Sequence, residues 1–154
     1  MITGTFGIEK ESLAELLHEA EHGKAQLPDF QRGWVWDDAH VRALLASISL
    51  SYPIGTVMLL RAGGDTLRFK QRPIEGATPP GAEHAERLIL DGQQRLTSLF
   101  QSLLLGQAVL TRDQRGKPIA RWYYLDMRRA LDPRVDREEA ILIIAGGSGG
   151  PQLP

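Results

Sequence analysis

The chain has 154 residues, of which 42% are hydrophobic and 24% charged, and these values fit one domain with an ordinary core and exclude a mostly disordered chain. It contains no cysteine and no apolar run near the ~18 residues that cross a bilayer, which excludes disulfides and thiolate metal sites and predicts a cytoplasmic protein without membrane contact. The net charge of −1 at pH 7 argues against a general nucleic-acid coat but is compatible with a local basic strip that grips phosphates.

The first third of the chain predicts two amphipathic helices joined by an extended segment. Ser12 with Glu15 matches a capping box, and the apolar periodicity that follows predicts a helix ending near Gly23. Residues 26–32 contain a proline that a helix would not accept, so we expect them to be extended. Asp37 is expected to cap the second helix.

The middle of the chain predicts a hairpin and then a long loop. Residues 56–60 are β-prone, residues 67–72 alternate apolar with polar side chains, and Gly63-Gly64 between them is a turn signal. The proline- and glycine-rich residues 73–86 are expected to form a loop.

The end of the chain predicts further strands. Residues 119–125 indicate a strand, and residues 140–144 indicate either a strand or the start of a helix. Residues 146–154 have a linker-like composition rich in Gly, Ser and Pro. We therefore expect one domain at 1–145, followed by a flexible tail.

The strongest local pattern is a strand that runs through a turn into a helix. A strand at 87–90 followed by a helix at 93–105 places free backbone N–H groups and the positive end of a helix dipole at the helix start. Gly92 would let an anion approach the backbone, at a positive φ, and Arg95 would add a planar fork suited to phosphate. The alternative, which the spacing leaves open, is that Asp91 is only a helix cap and Arg95 a solvated surface residue.

Two segments carry sequences typical of a known family. Residues 27–36 read Leu-Pro-Asp-Phe-Gln-Arg-Gly-Trp-Val-Trp, and residues 91–99 read Asp-Gly-Gln-Gln-Arg-Leu-Thr-Ser-Leu. In this order they resemble the first motif and the signature of the N-terminal domain of GmrSD-type restriction endonucleases. The resemblance covers about residues 10–105, and we recognise no family feature beyond them.

The resemblance also implies a fold and a ligand. The family is similar to the ParB/sulfiredoxin-like superfamily, which implies an α/β domain of α+β type with a small mixed sheet and flanking helices. In that fold a Gln-Arg segment and a Gly-x-x-Arg helix start embrace the phosphates of a nucleotide. The matching positions here are Gln31 with Arg32, and Gly92 with Arg95.

The resemblance therefore implies an NTP-binding and NTP-hydrolysing domain of a bacterial DNA-restriction or phage-defence system, with the NTP bound as a magnesium complex. Asp91 and Arg95 are the catalytic candidates. Asp91 is open to three roles, as helix cap, magnesium ligand or the group that positions a water. The candidates for binding the nucleotide and its phosphates are Gln31, Arg32, Gly92, Gln93, Gln94 and Arg95.

The resemblance implies partners as well. Family members commonly pair this domain with an HNH-type nuclease domain, and no such motif is present in this sequence. We therefore expect DNA and a nuclease domain or subunit as partners, and assembly as a homo-oligomer is left open. Two alternative functions stay open: a DNA-phosphate recognition module that hydrolyses nothing, and an interaction subunit of a separate HNH nuclease.

The segment His-Glu-Ala-Glu-His at 18–22 matches the His-Glu-x-x-His pattern of zinc hydrolases. Helical periodicity places His18 and His22 roughly opposite the apolar face of their helix, and the pattern supplies no third ligand. We therefore expect this match to be inert and predict no metal site in the protein apart from the magnesium bound with the NTP.

Candidate DNA contacts are weaker signals. Arg68, Lys70 and Arg72 would share one face of a strand and could track a DNA backbone, although a solvated sheet face is the more ordinary explanation. Phe30 is expected at the mouth of the pocket, where a target could be sensed. Other aromatic residues could stack on a base, although such side chains more often fill cores; they are Trp34, Trp36, Trp122, Tyr123 and Tyr124.

Overall fold

The computed structural model describes residues 7–62, 69–81 and 84–146. No helix in these ranges is both long enough and apolar enough to cross a membrane. The elements in chain order are α1 (Leu13–Glu21), β1 (Ala25–Pro28), α2 (Asp38–Ser49), β2 (Met58–Arg61), β3 (Gln71–Arg72), β4 (Arg87–Asp91), α3 (Gln93–Leu103), β5 (Val109–Arg112), β6 (Pro118–Leu125), α4 (Met127–Leu131), a 3-10 helix (Arg137–Ala140) and β7 (Ile141–Ala145).

The first sheet is mixed and has the strand order β2-β4-β1-β3. The central strands β1 and β4 are parallel, with Ala25 opposite Arg87 and Gln26 opposite Leu88, while β2 and β3 are antiparallel to their neighbours. This small mixed sheet with flanking helices confirms the expected α+β class. Because β1 and β4 are parallel neighbours, their carboxyl ends lie at the same edge of the sheet.

The core forms where three helices cover the first sheet. The apolar side chains of α1, α2 and α3 pack against β1 and β4, as the helical periodicity predicts. All four residues of β1 are buried, which fits a strand that lies inside the sheet and under helices. The largest buried members of this core are Leu16, Leu17, Leu27, Leu44, Ile74, Ile89, Leu96, Leu99 and Phe100.

The predicted helix starts are correct, but only one cap forms as expected. Asp37 caps α2, and its side chain accepts a hydrogen bond from the backbone N–H of His40 at 3.0 Å. Ser12 is the N-cap residue of α1, yet its side chain makes no capping hydrogen bond. The predicted start of α1 is therefore correct, but the predicted capping box with Glu15 does not form. Burial of the Leu16 and Leu17 side chains stabilises α1 instead.

The predicted hairpin is wrong. The strands β2 and β3 both exist, but β2 pairs with β4 and β3 pairs with β1, so two other strands separate them in the sheet. The expected turn at Gly63-Gly64 lies outside the described residues. Alternation of side chains identifies a strand without identifying its neighbour, and here the buried strands β1 and β4 take the pairing positions.

A second sheet, β5-β6-β7, is an antiparallel meander. The predicted strand at 119–125 is confirmed within β6, and residues 140–144 take the strand alternative as β7. Two hydrogen bonds join this sheet to the first motif and to α2. Thr111 Oγ1 donates to the carbonyl oxygen of Trp36 at 2.8 Å, and the Tyr123 hydroxyl donates to Asp38 Oδ1 at 2.6 Å.

Candidate functional site

The two family-like segments meet at the shared carboxyl edge of β1 and β4. Phe30, Gln31 and Arg32 follow β1, and Gly92 follows β4. A cavity of about 270 Å³ opens where these segments meet. All the residues expected to bind nucleotide line it, together with the catalytic candidate Asp91 and two residues that were not predicted, Trp36 and Leu90; the lining residues are Gln31, Arg32, Trp36, Leu90, Asp91, Gly92, Gln93, Gln94 and Arg95.

Gly92 makes the turn from β4 into α3. It is the N-cap residue of α3 and has φ +89°, as expected, a conformation that side chains rarely adopt. A Cβ at this position would lie 3.0 Å from Val57 Cγ2 and 3.4 Å from Arg95 Nη2. A glycine is therefore required by the backbone itself, and its small size also leaves the first turn of α3 open to the cavity.

The start of α3 supplies backbone donors. The first helical hydrogen bond runs from the Leu96 N–H to the Gly92 carbonyl oxygen at 3.0 Å. The N–H groups of Gln93, Gln94 and Arg95 precede that bond, so they have no partner within the helix. They lie at the positive end of the helix dipole, which favours an anion.

Asp91 is the last residue of β4, and its side chain is 69% exposed. Its Oδ2 lies 3.7 Å from Arg95 Nη2. Because Gly92 occupies the N-cap position of α3, the role of helix cap is excluded for Asp91. Among the residues that line the cavity, Asp91 is the one carboxylate.

Arg95 uses its guanidinium to hold a loop. Nη1 donates to the carbonyl oxygen of Ile54 at 2.6 Å, and Nη2 donates to that of Thr56 at 2.7 Å. Each of these nitrogens carries a second N–H group, so Arg95 retains donors while it binds the loop. Gly55 lies between the two carbonyl groups at φ +97°, and sequence reasoning missed its contact with Arg95 because 41 positions separate Ile54 from Arg95.

The two glutamines hold the first motif in place. Gln93 is buried, and its Nε2 donates to the Arg32 carbonyl oxygen at 2.5 Å. Gln94 Oε1 accepts from the Val35 N–H at 2.9 Å, and its Nε2 donates to the Gly33 carbonyl oxygen at 3.2 Å. These side-chain amides therefore bind the backbone of residues 32–35, a contact that the expectation of nucleotide-orienting glutamines did not include.

Gln31 and Arg72 support the same segment from the sheet. Gln31 Nε2 donates to the carbonyl oxygens of Ile89 and Leu90, at 2.8 and 3.0 Å. Arg72 Nη2 donates to the carbonyl oxygens of Gln31 and Arg32, at 3.1 and 3.2 Å, and Nη1 binds a Glu75 carboxylate oxygen at 3.1 Å. The guanidinium of Arg72, a candidate DNA contact, is thus occupied by hydrogen bonds that stabilise the first motif.

Arg32 differs from the other cavity residues. Its side chain is exposed and lines the cavity, while its backbone carbonyl accepts bonds from Gln93 and Arg72. Its guanidinium makes no hydrogen bond or ion pair with any residue that the structure describes. The backbone of Arg32 is therefore held in place, and its guanidinium, which has no partner among the described residues, places a positive charge at the cavity.

The strip of cations predicted for Arg68, Lys70 and Arg72 is described only in part. Only Gln71 and Arg72 belong to β3, so the exposed Lys70 precedes the strand, and Arg68 lies outside the described residues. Phe30 is 65% exposed and packs edge-on against Phe69, with 5.4 Å between ring centroids. Phe30 does not line the cavity, so it is adjacent to the site rather than at its wall.

The two histidines of the His-Glu-x-x-His segment lie on the exposed side of α1 and at its C-cap, as expected. His18 and His22 are exposed, whereas Leu16 and Leu17 on the other face are buried. His18 Nδ1 lies 3.1 Å from a Glu21 carboxylate oxygen, and His22 Nδ1 lies 2.8 Å from the carbonyl oxygen of His18.

Glu19, the residue that a zinc hydrolase would use as general base, points elsewhere. It forms an ion pair with Arg87, which also binds Glu11. These two carboxylates, with the Glu11 hydrogen bonds contributing most, hold the pKa of Arg87 above its ordinary value. The carboxylate of Glu19 is therefore part of a contact between α1 and β4.

A second, larger cavity of about 380 Å³ adjoins the first. The segment 34–36 forms one wall and the β5–β6 hairpin forms the other. Trp36 lines both cavities. Periodicity could not reveal this wall, because strands β5 and β6 meet the first motif only in the folded chain.

Comparison with known proteins adds independent information. Residues 13–140 match the family described as GmrSD restriction endonuclease, N-terminal domain. The match passes residue 105, where the resemblance recognised in the sequence ends, and takes in β5, β6 and α4. The uncharacterized protein MJ0686 of Methanocaldococcus jannaschii is 31% identical over 129 residues, which are 81% of this chain and 22% of that protein. The chain thus spans about a fifth of the length of this relative.

Proposed function

We infer that the protein acts in DNA restriction or phage defence, because the chain belongs to the family of GmrSD restriction endonuclease N-terminal domains. We propose that it binds an NTP at the carboxyl ends of β1 and β4. The observation that supports the proposal most strongly is the availability of the Arg32 side chain. Its guanidinium is uncommitted among the described residues and shares one cavity with the free N–H groups at the start of α3. A polyphosphate is the ligand that this combination suits best.

The phosphates would lie between Arg32 and the first turn of α3. Arg32 supplies a full positive charge, and the N–H groups of Gln93, Gln94 and Arg95 supply directed donors. Gly92 keeps that turn free of a side chain, so the phosphates could approach the backbone. Arg95 would add its remaining N–H groups from the second side while it holds residues 54–56.

The donor set also fits a magnesium complex of the NTP. Mg²⁺ binds through one or two carboxylates together with phosphates and water, and Asp91 places one exposed carboxylate on the cavity. The bound cation would neutralise phosphate charge during hydrolysis. Asp91 would either bind that cation or position the water that attacks the terminal phosphate, and Arg95, 3.7 Å from its carboxylate, would orient it.

DNA cleavage belongs to another part of the system in this proposal. The sequence carries no HNH motif, and the chain spans only 22% of the relative named above. We propose that the NTP-bound domain works with an HNH-type nuclease domain or subunit and with DNA. Phe30 and Lys70 remain the exposed candidates for DNA contact beside the site.

The direct test compares Arg32→Ala with Arg115→Ala by isothermal titration calorimetry with all four NTPs and MgCl₂. Arg115 is also exposed but lies in the turn between β5 and β6, outside the cavity, so both variants lose one surface charge. We expect Arg32→Ala to weaken binding at least about tenfold, or ~1.4 kcal/mol, and Arg115→Ala to bind like the parent. Equal affinities in all three proteins would reject the phosphate site.

The alternative of a non-hydrolysing DNA-phosphate module has its own signature. It predicts no NTP binding by the parent protein and DNA binding that depends on Arg32 and weakens steeply with salt. Phosphate release from NTP above background, lost in Asp91→Asn, would instead support hydrolysis at this site.

A further inference from the structure

The aromatic wall of the cavity is Trp36, a residue whose position the phosphate site does not explain. Its side chain is half-buried and lines the cavity together with Arg32 and the start of α3. Neither Trp34 nor Trp122 lines this cavity. A phosphate needs donors and positive charge, whereas an indole ring offers an apolar face.

The backbone of Trp36 is held in place by its neighbours on both sides. Its carbonyl oxygen accepts a hydrogen bond from Thr111 Oγ1 at 2.8 Å, and Thr111 is buried in β5. The next residue, Asp37, caps α2. The backbone of Trp36 is therefore held by the second sheet on one side and by a helix start on the other.

The ring of Trp36 is also supported from one side. The His40 ring lies against it, with 5.4 Å between centroids and a 38° angle between planes. His40 is held in turn by Asp37, with 2.7 Å between Nδ1 and Oδ1. An aromatic ring that is oriented before binding loses little conformational freedom when a ligand stacks on it.

The two neighbouring tryptophans differ in how their indole N–H groups are used. Trp34 Nε1 donates to Ser98 Oγ at 2.9 Å, and this hydrogen bond connects the first motif to α3. The indole N–H of Trp36 makes no hydrogen bond with any other residue in the described part of the chain. Trp36 packs partly against the hydrophobic core, while its indole N–H and the part of the ring that lines the cavity remain available to a ligand.

The size of the cavity points to the same residue. Its volume of about 270 Å³ lies just below the range of ~300–1,000 Å³ that is usual for pockets holding small molecules. A nucleotide that fills it with phosphates must place its base at the cavity border. Trp36 is that border, since it also lines the adjoining cavity of about 380 Å³.

From this placement we propose that Trp36 is a stacking platform for the base of the bound nucleotide, and that it makes the site select nucleoside triphosphates over inorganic polyphosphate. The proposal rests on the proposed function, because the phosphates must occupy the start of α3 for the base to reach Trp36. Stacking on an indole face tolerates every base, since each has a π-face. Trp36 therefore selects for the presence of a base and not for its identity.

The test measures the affinity of the full chain for two ligands, ATP and inorganic tripolyphosphate, by calorimetric titration in the presence of MgCl₂. Both ligands contain three linked phosphates, and only ATP carries a base. We expect the parent protein to bind ATP at least about tenfold more tightly than tripolyphosphate. Trp36→Leu should bring the two affinities within about twofold by weakening ATP alone, and Trp36→Phe, which keeps a ring, should retain most of the preference. GTP, CTP and UTP should follow ATP within about fivefold.

Two outcomes overturn the proposal and are distinguishable. If the parent binds ATP and tripolyphosphate equally, the base does not contribute, and the phosphate site stands without the platform. If the parent binds neither ligand, the proposed function itself fails. The comparison in the parent needs no variant, so it remains decisive even if Trp36→Leu does not fold.

Discussion

Gly55 lies directly over the guanidinium of Arg95, so that a Cβ built on Gly55 would overlap Arg95 Nη1. The same nitrogen donates to the carbonyl oxygen of Ile54, and Nη2 donates to that of Thr56. Arg95 can therefore hold this loop only because residue 55 has no side chain. The glycine and the arginine form one structural unit beside the cavity.

This relationship predicts a stability difference between two glycine substitutions. Gly55→Ala and Gly81→Ala both place a Cβ at a positive φ, +97° and +91°, but a Cβ on Gly81 meets nothing within 4 Å. The strain of the positive φ is thus common to both variants and amounts to about 1–2 kcal/mol. Gly55→Ala should lose at least about 1.5 kcal/mol more, because Arg95 must leave two carbonyl groups to which it binds as a charged donor.

Urea unfolding of the two variants measures this difference. The parent and both variants should share one m-value, so that the shift in midpoint reports stability alone. Equal losses in Gly55→Ala and Gly81→Ala would show that the contact of Arg95 with the loop is dispensable.

The two cavity arginines should separate stability from ligand binding. Arg95→Ala should lower the free energy of unfolding by about 1.5–3 kcal/mol, since it leaves the carbonyl groups of Ile54 and Thr56 without their charged donor. Arg32→Ala should change it by less than about 0.5 kcal/mol, because an exposed side chain without a protein partner adds little to the fold. Both should weaken NTP binding at least about tenfold.

A double-variant cycle tests whether both arginines contact one polyphosphate. Two groups that bind the same ligand should show non-additive losses in Arg32→Ala/Arg95→Ala. Arg32→Lys should restore affinity only in part, since an ammonium group lacks the planar fork. Additive losses would place the two side chains on separate ligands or surfaces. Full rescue by lysine would show that a positive charge at residue 32 is sufficient without the planar fork.

The exposed histidines of α1 should have no role in nucleotide binding. His18 and His22 lie on the outer face of α1, and Glu19 is committed to Arg87. His18→Ala combined with His22→Ala should leave the unfolding midpoint and the NTP affinity unchanged. Metal analysis of the purified parent by mass spectrometry provides the check, and stoichiometric zinc that is lost in the double variant would contradict the prediction.

The cap of α2 should give the protein a pH-dependent contribution to stability. The pKa of Asp37 lies below its ordinary value of 3.8, first because of the hydrogen bond from the His40 backbone and then because of the His40 side chain. A carboxyl group with a lowered folded-state pKa stabilises the fold above its unfolded-state pKa, and this contribution is lost as pH falls through the folded-state value.

Asp37→Ala should therefore cost about 1 kcal/mol at pH 7, and Asp37→Asn, which keeps a capping oxygen, should cost less. The advantage of the parent over Asp37→Asn should be complete above pH 5 and should shrink once the pH falls below 3.8. Thermal unfolding of the parent and both variants, followed from about pH 2.5 to about pH 7, measures this difference. A difference that does not change on acidification would mean that the charge of Asp37 does not contribute.

Local sequence was sufficient for the helices and for the turn that starts α3. Apolar side chains at helical spacing predicted α1, α2 and α3, because that spacing places them on one face wherever the helix packs. The order of a buried strand, a glycine and a helix predicted the positive φ of Gly92. These features depend on neighbours a few positions apart, which the sequence displays directly.

Only the tertiary structure decided which strands pair and which donors remain available. The strands β2 and β3 were recognisable, but their separation by β4 and β1 depends on burial at the centre of the sheet. Likewise, the sequence made both Arg32 and Arg95 candidates for binding phosphates. In the folded chain Arg95 binds a loop and Arg32 does not, because a side chain's hydrogen-bond partners come from segments distant in sequence.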